Sequence, residues 1–143
     1  MKRYGNQLWV QVVGPDRYRI GMTDQLQCDA GDISYANIAP LGALDVDDTL
    51  VNLEASKAAI EVASPLKGQV VARNEAAETN PSLLDSKNPT DHWLIELSQV
   101  DAQAFEALAK EEYPHTLALL LGIERRNDHA ASNRCNGQHY ASP

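Results

Sequence analysis

Long apolar segments are absent from this 143-residue sequence. The apolar run near its start comprises only Leu8, Trp9 and Val10 before Gln11 interrupts it, which is too short for a secretory signal. No window approaches the roughly 20 consecutive apolar residues that a membrane-spanning helix needs. The sequence therefore predicts a cytoplasmic protein that does not enter a membrane.

Positive charge is also scarce. The chain has 12 Lys and Arg residues against 20 Asp and Glu residues, which gives a formal net charge of −8 at pH 7. Binding to nucleic acids and to anionic lipids depends on Lys and Arg side chains that neutralise phosphate groups. Nucleic acids and membrane surfaces are therefore excluded as expected partners.

Residue types that build catalytic and metal sites are few and scattered. Cys28 and Cys135, the two cysteines, have neither CxxC nor zinc-ligand spacing, so we expect free thiols. A metal site formed by Cys135 with His129 and His139 would lie in a polar segment rich in Asn and Ser, and we expect none. No Ser-His-Asp or paired-carboxylate arrangement can be argued. The sequence predicts neither catalytic nor metal-binding residues.

Short stretches of alternating apolar and polar residues fill the first 97 positions. Turn-forming Gly, Pro, Asn and Asp separate them. The predicted strands cover residues 8–13, 17–22, 32–37, 49–54, 58–63, 69–73 and 92–97. Short helical turns are expected after Thr23, ending at Gly31, and at Pro81. Many short strands followed by helices predict a mostly β domain, a sandwich or a barrel, over residues 1–97.

The residue pattern changes from period two to a helical period at Ser98. Ser98 with Asp101 resembles a capping box, and an apolar stripe follows at Ala102, Phe105, Leu108 and Ala109. We expect an amphipathic helix here and a C-terminal helical region over residues 98–126, packed on the β domain. Residues 127–143 are polar and have no period, which predicts a flexible tail.

The stretch LEASKAAIEVASPLKG, residues 53–68, places Lys57 in a short polar interval between two predicted strands. Strands separated by so few residues form a tight hairpin, with Lys57 at its tip. We expect the tip to stand clear of the domain and the amine to be accessible. A solvated surface lysine without a role is the alternative, and the flanking sequence decides between the two.

That flanking sequence resembles the lipoyl-carrying H proteins of the glycine cleavage system. The family shares E-S-V-K-A-A-S-E, then A-P-L-S-G and a V-V strand, where this chain has EASKAAIE, SPLKG and QVVARNEA. Upstream, YRIGMTD and GDISYANIAPLG resemble R-I-G-I-T-D and G-D-I-V-Y-V-E-L-P-x-V-G. Downstream, NEAAETNPSLLDSKNPTDHWLIEL resembles N-E-A-L-x-x-N-P-x-L-V-N-x-x-P-Y-x-x-G-W-L. The resemblance covers residues 8 to 110.

The resemblance implies the barrel-sandwich hybrid fold of lipoyl domains, and it matches Lys57 to the lysine that receives lipoic acid in amide linkage. The protein would be a carrier and not an enzyme, because the chemistry belongs to the lipoyl arm. Ser56 and other small neighbours would let an active-site cleft admit the tip. Glu54 and Glu61 would orient an attaching ligase or a basic partner, or they are ordinary solvated strand residues.

Several segments depart from the family pattern. The lead-in E-H-E-W-V is NQLWV at residues 6–10, the P-Y-x-x-G-W segment is shortened to PTDHW at residues 89–93, and the C-terminus is longer. H-like lipoate-binding proteins also serve heterodisulfide-reductase-like complexes in bacterial sulfur oxidation, and these departures favour that branch. The expected partners are then a lipoate ligase or lipoyl transferase, and a heterodisulfide-reductase-like complex or a sulfurtransferase.

Two alternatives stay open at this point. The first is an H protein that carries the aminomethyl group of glycine cleavage, with glycine decarboxylase, aminomethyltransferase and dihydrolipoamide dehydrogenase as partners. The second is an unlipoylated β-sandwich binding module. The intact Lys57 and its flanks argue against the module.

Overall fold

Two antiparallel β-sheets dominate this computed structural model, which describes residues 2–111. The strands are β1 (Lys2–Gly5), β2 (Leu8–Gly14), β3 (Arg17–Met22), β4 (Ile33–Ile38), β5 (Gly42–Leu44), β6 (Thr49–Ala55), β7 (Ala59–Ala63), β8 (Gly68–Arg73) and β9 (Trp93–Ser98). The helices are α1 (Asp24–Ala30), α2 (Glu75–Thr79), α3 (Pro89–His92) and α4 (Ala102–Glu106), and a 3-10 helix spans Pro81–Asp85.

The larger sheet has six strands in the order β1-β2-β3-β9-β8-β5, and the smaller sheet has three in the order β4-β6-β7. Every neighbouring pair is antiparallel. The predicted mostly β, lipoyl-type fold with short helices is therefore confirmed. Within residues 2–111 the strands form two separate sheets, and they do not close into a barrel.

One cluster of buried apolar side chains joins both sheets and α1. Leu8 and Ile20 come from the larger sheet, Leu53 from the smaller sheet and Leu26 from α1, and each is at most 1% exposed. Complete burial of a Leu or Ile side chain contributes about 1.5–3 kcal/mol. This shared core fixes the smaller sheet, which carries the Lys57 hairpin, against the larger one.

The strands predicted from alternation are all present, with bounds within one residue of those expected. β1 and β5 were not predicted, because KRYG has no alternation and β5 has only three residues. Both are edge strands of the larger sheet, so their partner strands define them. The short helices α2 and α3 also lacked a periodic signal, since each spans at most five residues.

The expected C-terminal helix begins later than predicted. Asp101, and not Ser98, is the N-cap of α4, because its carboxylate accepts a hydrogen bond from the Gln103 N–H at 2.9 Å. Ser98 instead ends β9. Phe105, from the predicted stripe, is buried, and its ring centroid lies 5.1 Å from that of Tyr18.

The predicted domain bounds remain predictions. The structure describes the helical region of residues 98–126 only as far as position 111, and the tail at 127–143 lies outside the described residues. The same holds for His129, Cys135 and His139. None of the helices in the described range is long and apolar enough to cross a bilayer.

A buried histidine links β2 to the segment before β9. His92 is 4% exposed, and its Nε2 accepts a hydrogen bond from the Trp9 indole N–H at 2.9 Å. An indole nitrogen only donates, so the other ring nitrogen, Nδ1, carries the proton and donates to the Ser86 carbonyl at 2.8 Å. Burial, the largest influence, lowers the pKa of His92 below 6.5. The Trp9–His92 hydrogen bond requires a neutral imidazole, because a protonated Nε2 cannot accept it.

The first prediction concerns the pH dependence of stability. The pKa of His92 is lower in the folded state than in the unfolded chain, so its contribution is fully present above pH 6.5 and is lost as the pH falls through the folded value. We expect His92→Gln to lower the free energy of unfolding by about 1–3 kcal/mol at pH 7.5. The difference from wild type should shrink towards pH 5 in urea titrations. A difference that does not change with pH would contradict this role of His92.

Candidate functional site

The β6–β7 hairpin forms as the sequence predicts, and Lys57 lies in its connecting turn. Glu54 pairs with Ala59, and the Ala55 N–H donates to the Ala58 carbonyl at 3.1 Å, which closes the turn around Ser56 and Lys57. From Val51 towards the tip and back along β7, the two strands have buried side chains on one face only. Lys57 itself is exposed.

The tip does not stand clear of the domain, contrary to the expectation. It lies against the segment that joins α1 to β4. The Lys57 N–H donates to the Ala30 carbonyl at 3.0 Å, and the Ser56 N–H donates to the Asp32 carbonyl at 2.8 Å. The Ser56 hydroxyl accepts a bond from the Asp32 N–H at 2.9 Å. The tip is therefore held by long-range hydrogen bonds as well as by its own strands.

The Lys57 side chain also extends towards the end of α1. Its Nζ donates to the Cys28 carbonyl at 3.0 Å. Cys28 is in the last turn of α1, where carbonyls have no partner within the helix. The amine is thus exposed to solvent but anchored to the end of α1.

The sequence stops α1 at this place through its two caps. The Thr23 side chain accepts a hydrogen bond from the Leu26 N–H at the start of α1. Gly31 ends the helix with φ 79° and ψ −152°, a conformation that residues with a Cβ rarely adopt. Both caps were predicted, but their consequence for the hairpin tip was not.

The outer face of the smaller sheet presents two cross-strand rows beside the tip. Tyr35, Glu54 and Ala59 make the row next to the tip, and Asn37, Asn52 and Glu61 make the next row away from it. Tyr35 is 48% exposed and was missed, because strict alternation would turn it inward with Ile33. A register shift between Ile33 and Tyr35 leaves Ser34 and Tyr35 both exposed. An exposed aromatic residue in the row next to Lys57 is a candidate contact for a partner.

The two glutamates predicted to guide recognition have different environments. No cation of the described residues pairs with the Glu54 carboxylate. The Glu61 carboxylate accepts a hydrogen bond from the Thr49 hydroxyl, at the end of the hairpin away from the tip. The structure therefore places Glu54 and Ser56 at the tip and Glu61 farther along β7.

Cys28 is not a free thiol, which corrects the expectation for this residue. It is 8% exposed within α1 and is disulfide-bonded. Cys135, the other cysteine of the chain, lies outside the described residues. Between residues 2 and 111 there is no group of three or more His, Cys, Asp or Glu side chains that could hold a metal ion.

A cavity of about 470 Å³ lies away from the tip, at the other end of the hairpin. Asp45, Asp48, Asp101 and Lys67 are among its lining residues, and Lys57 is not. The second lysine of the motif stretch, Lys67, is thus in a different environment from Lys57. The cavity contributes nothing to the arrangement at the tip.

The family model described as "Glycine cleavage H-protein" matches residues 1–118. The chain belongs to the glycine cleavage H-protein family. A glycine cleavage system H-like protein of Staphylococcus aureus is 44% identical over 108 residues, which are 76% of this chain and 97% of the relative. A glycine cleavage system H protein of Psychrobacter is 33% identical over 115 residues, 79% of this chain and 91% of the relative.

The crystal structure of a glycine cleavage system H protein from Mycobacterium marinum has a similar fold. Its TM-score is 0.61, and the match covers 68% of this chain and 81% of that chain. The sequence identity is 20%, so this likeness shows the fold alone.

Family membership confirms the carrier prediction. H proteins have no catalytic activity of their own and bear lipoate covalently on a lysine, so this H-protein family member is a lipoyl carrier. The hairpin tip fits that group: an exposed amine sits among Ala55, Ser56, Ala58 and Ala59, and none of these side chains is large enough to hinder an approaching acyl donor.

The second prediction separates the two glutamates. We expect Glu54→Gln to slow lipoylation by about twofold to fivefold at low ionic strength, with a smaller effect at high salt, because an exposed charge acts mainly on association. Glu61→Gln should have less effect, since Glu61 lies one cross-strand row farther from the tip. Initial rates with a lipoate ligase at two salt concentrations measure this.

Asp47→Asn is the matched control for that experiment. Asp47 is exposed in the turn before β6, and Asn tolerates its positive φ of 71°. The substitution removes the same charge at the other end of the hairpin. Equal rates for Glu54→Gln and Asp47→Asn at both salt concentrations would show that Glu54 has no part in recognition.

Proposed function

We propose that the chain carries lipoate on Lys57 and acts as an H protein of glycine cleavage, which transfers the aminomethyl group between enzymes. One observation supports this most directly: Lys57 lies exposed in a four-residue turn, at the position where the H-protein motif has its lysine. When bound, the lipoyl group supplies a dithiolane on a long, flexible arm. The protein supplies its presentation.

Three other lysines of the described residues have surroundings that suit acylation less well. Lys87 Nζ donates to the Gln27 side chain at 3.0 Å and lies 3.6 Å from an Asp24 carboxylate oxygen. Lys2 Nζ lies over the Trp9 ring at 5.2 Å. Lys67 lines the cavity with three aspartates. Lys57 combines an exposed side chain with small neighbours at the apex of two paired strands.

The residues around Lys57 position the turn and its amine for lipoylation. The Ser56 and Lys57 backbone bonds fix the turn, so a ligase meets one conformation and not a mobile loop. The amine must leave the Cys28 carbonyl before it is acylated, which breaks a partly buried hydrogen bond. A single bond of this kind contributes about 0.5–1.5 kcal/mol and is a small obstacle.

Two departures that favoured sulfur oxidation are neighbours in the structure. The lead-in at residues 6–10 and the segment at 89–93 contact each other through the Trp9–His92 hydrogen bond. Trp9 is the lead-in residue that matches the family pattern, so this bond does not account for the changes at Asn6 and Gln7, which are both exposed. The departures therefore do not decide between the two pathways.

The partners proposed for this chain follow from its family. They are a lipoate ligase or lipoyl transferase, glycine decarboxylase, aminomethyltransferase and dihydrolipoamide dehydrogenase. The names of the matched family and relatives support glycine cleavage over the heterodisulfide-reductase-like pathway that the departures had favoured. The location in the cytoplasm remains a prediction.

The third prediction tests the attachment site. With lipoate, ATP and a lipoate ligase, wild-type protein should gain the mass of one lipoyl group, and Lys57→Arg should gain none because a guanidinium does not form the amide. Lys67→Arg is the control and should be modified like wild type. Intact-mass spectrometry measures both. Modification of Lys57→Arg at the wild-type rate would refute Lys57 as the site.

The fourth prediction tests the cargo. Lipoylated protein with its dithiolane oxidised, incubated with glycine and a glycine decarboxylase, should release carbon dioxide from the glycine carboxyl. The S–S bond accepts the two electrons and opens to one thiol and one S-aminomethyl group, so the protein gains the mass of glycine less carbon dioxide. The reduced, dihydrolipoyl form of the protein, incubated with a sulfurtransferase and its sulfur donor, should gain little or no sulfur. Efficient sulfur loading without aminomethyl loading would reverse the choice of pathway.

A further inference from the structure

The end of α1 and the hairpin tip approach each other more closely than residues with ordinary side chains allow. Gly31 lies between the Ala30 and Asp32 carbonyls that accept the tip's backbone bonds. A Cβ at position 31 would lie 2.4 Å from the Ser56 hydroxyl oxygen and 3.0 Å from Lys57 Cγ. Both distances are shorter than van der Waals contact. Glycine is therefore required here by space and by its φ of 79°.

The contacts made possible by Gly31 reach both the backbone and the side chain of the lysine. The Lys57 N–H is bonded to Ala30 and the Ser56 N–H to Asp32, and Lys57 Nζ is bonded to Cys28. These acceptors are the carbonyls of alternate residues, Cys28, Ala30 and Asp32, at the helix end and in the following turn. One segment, residues 28–32, thus sets the position of the tip and of the amine.

Acylation does not remove the capacity of this nitrogen to donate. The ammonium loses one proton to become the nucleophilic amine, the amine forms the N–C bond as the leaving group departs from the acyl carbon, and a second proton leaves the nitrogen. The resulting amide keeps one N–H. The Cys28 carbonyl lies 3.0 Å from Nζ before acylation, so the same acceptor is available to the amide afterwards.

We propose that residues 28–32 are a clamp that positions Lys57, with Gly31 as its positioning residue and the Cys28 carbonyl as the acceptor for the amine and then for the amide N–H. This deepens the proposed function and rests on it. The clamp fixes Lys57 Nζ, the atom to which the lipoyl arm is attached. The carried group can then move only by rotation about the bonds beyond the amide. It also presents the lysine to a ligase in a single orientation.

A pair of glycine substitutions tests the clamp. Gly31→Ala introduces backbone strain and the contact with Ser56 and Lys57. Gly42→Ala is the matched control, because Gly42 also has a positive φ, 117°, but a Cβ there would have no atom within 4 Å. Both variants are expected to fold, and circular dichroism with thermal unfolding checks this. The difference between the two variants measures the effect of contact between a Cβ at position 31 and the hairpin tip.

We expect Gly31→Ala to reduce kcat/KM for lipoylation by about tenfold relative to Gly42→Ala, since displacement of a reacting group by an ångström has effects of this size or larger. Hydrogen exchange gives a readout that does not depend on the ligase. The Ser56 and Lys57 amides should exchange at least about tenfold faster in Gly31→Ala, while amides of β8 and β9 stay unchanged. Equal exchange at the tip in both variants would overturn the clamp.

A third variant covers the case in which Gly31→Ala is too unstable to assay. Ser56→Ala removes the hydroxyl that the new Cβ would contact, together with its bond to the Asp32 N–H. Alone, it should accelerate exchange at Asp32 and Ser56. Combined with Gly31→Ala, it should make the glycine substitution less harmful than in the wild-type background. Strictly additive effects of the two changes would contradict direct contact.

The Cys28 acceptor is tested in lipoylated protein labelled with ¹⁵N-lysine. The amide proton on the lipoyl nitrogen should exchange several times more slowly in Gly42→Ala than in Gly31→Ala, by about threefold or more. Equal rates would show that the amide does not use Cys28. The outcomes are separable: absence of lipoylation in wild type refutes the proposed function, whereas normal lipoylation with no difference between the two variants refutes only the clamp.

Discussion

One-sided burial of the small sheet is the constraint on which the site depends. Val51, Leu53 and Val62 are buried in the shared core, while Asn52, Glu54 and the exposed side chains of β7 point away from it. A shift of register by one residue would turn every side chain to the opposite face. The core therefore fixes which residues form the turn, and Lys57 reaches the apex because Leu53 and Val62 must point inward.

The hairpin alone would leave its tip free to move, and the end of α1 prevents this. The helix begins at a threonine cap and ends at Gly31, and the carbonyls exposed by that ending accept bonds from the tip. The helix is tied to the rest of the domain in turn, because Gln27 Nε2 donates to the Leu84 and Ser86 carbonyls. Ser86 also accepts from His92. Buried hydrogen bonds thus connect the support of the lysine to the Trp9–His92 pair.

The sequence predicted most of this arrangement where the signal was local. Alternation placed β6 and β7, and the short interval between them put Lys57 in the turn. The contact of the tip with α1 could not be predicted, because Ser56 and Asp32 are 24 positions apart and no periodic pattern relates them. For the same reason the Trp9–His92 bond, which spans 83 positions, was not predicted. Strict alternation from Ile33 would turn Tyr35 inward, and nothing local predicted the register shift that leaves it exposed.

A lipoyl carrier of this family needs little more than a rigid frame and one amine in a reproducible place. The frame is the two-sheet core, and the place is set by register on one side and by the helix end on the other. The most direct test of this account is peptide mapping by tandem mass spectrometry of the protein purified from its own cells. The account predicts a lipoyl group on the peptide that contains Lys57, with Lys67 and Lys87 unmodified. Protein that is fully unmodified in cells with active lipoylation, or that carries the group on another lysine, would contradict it.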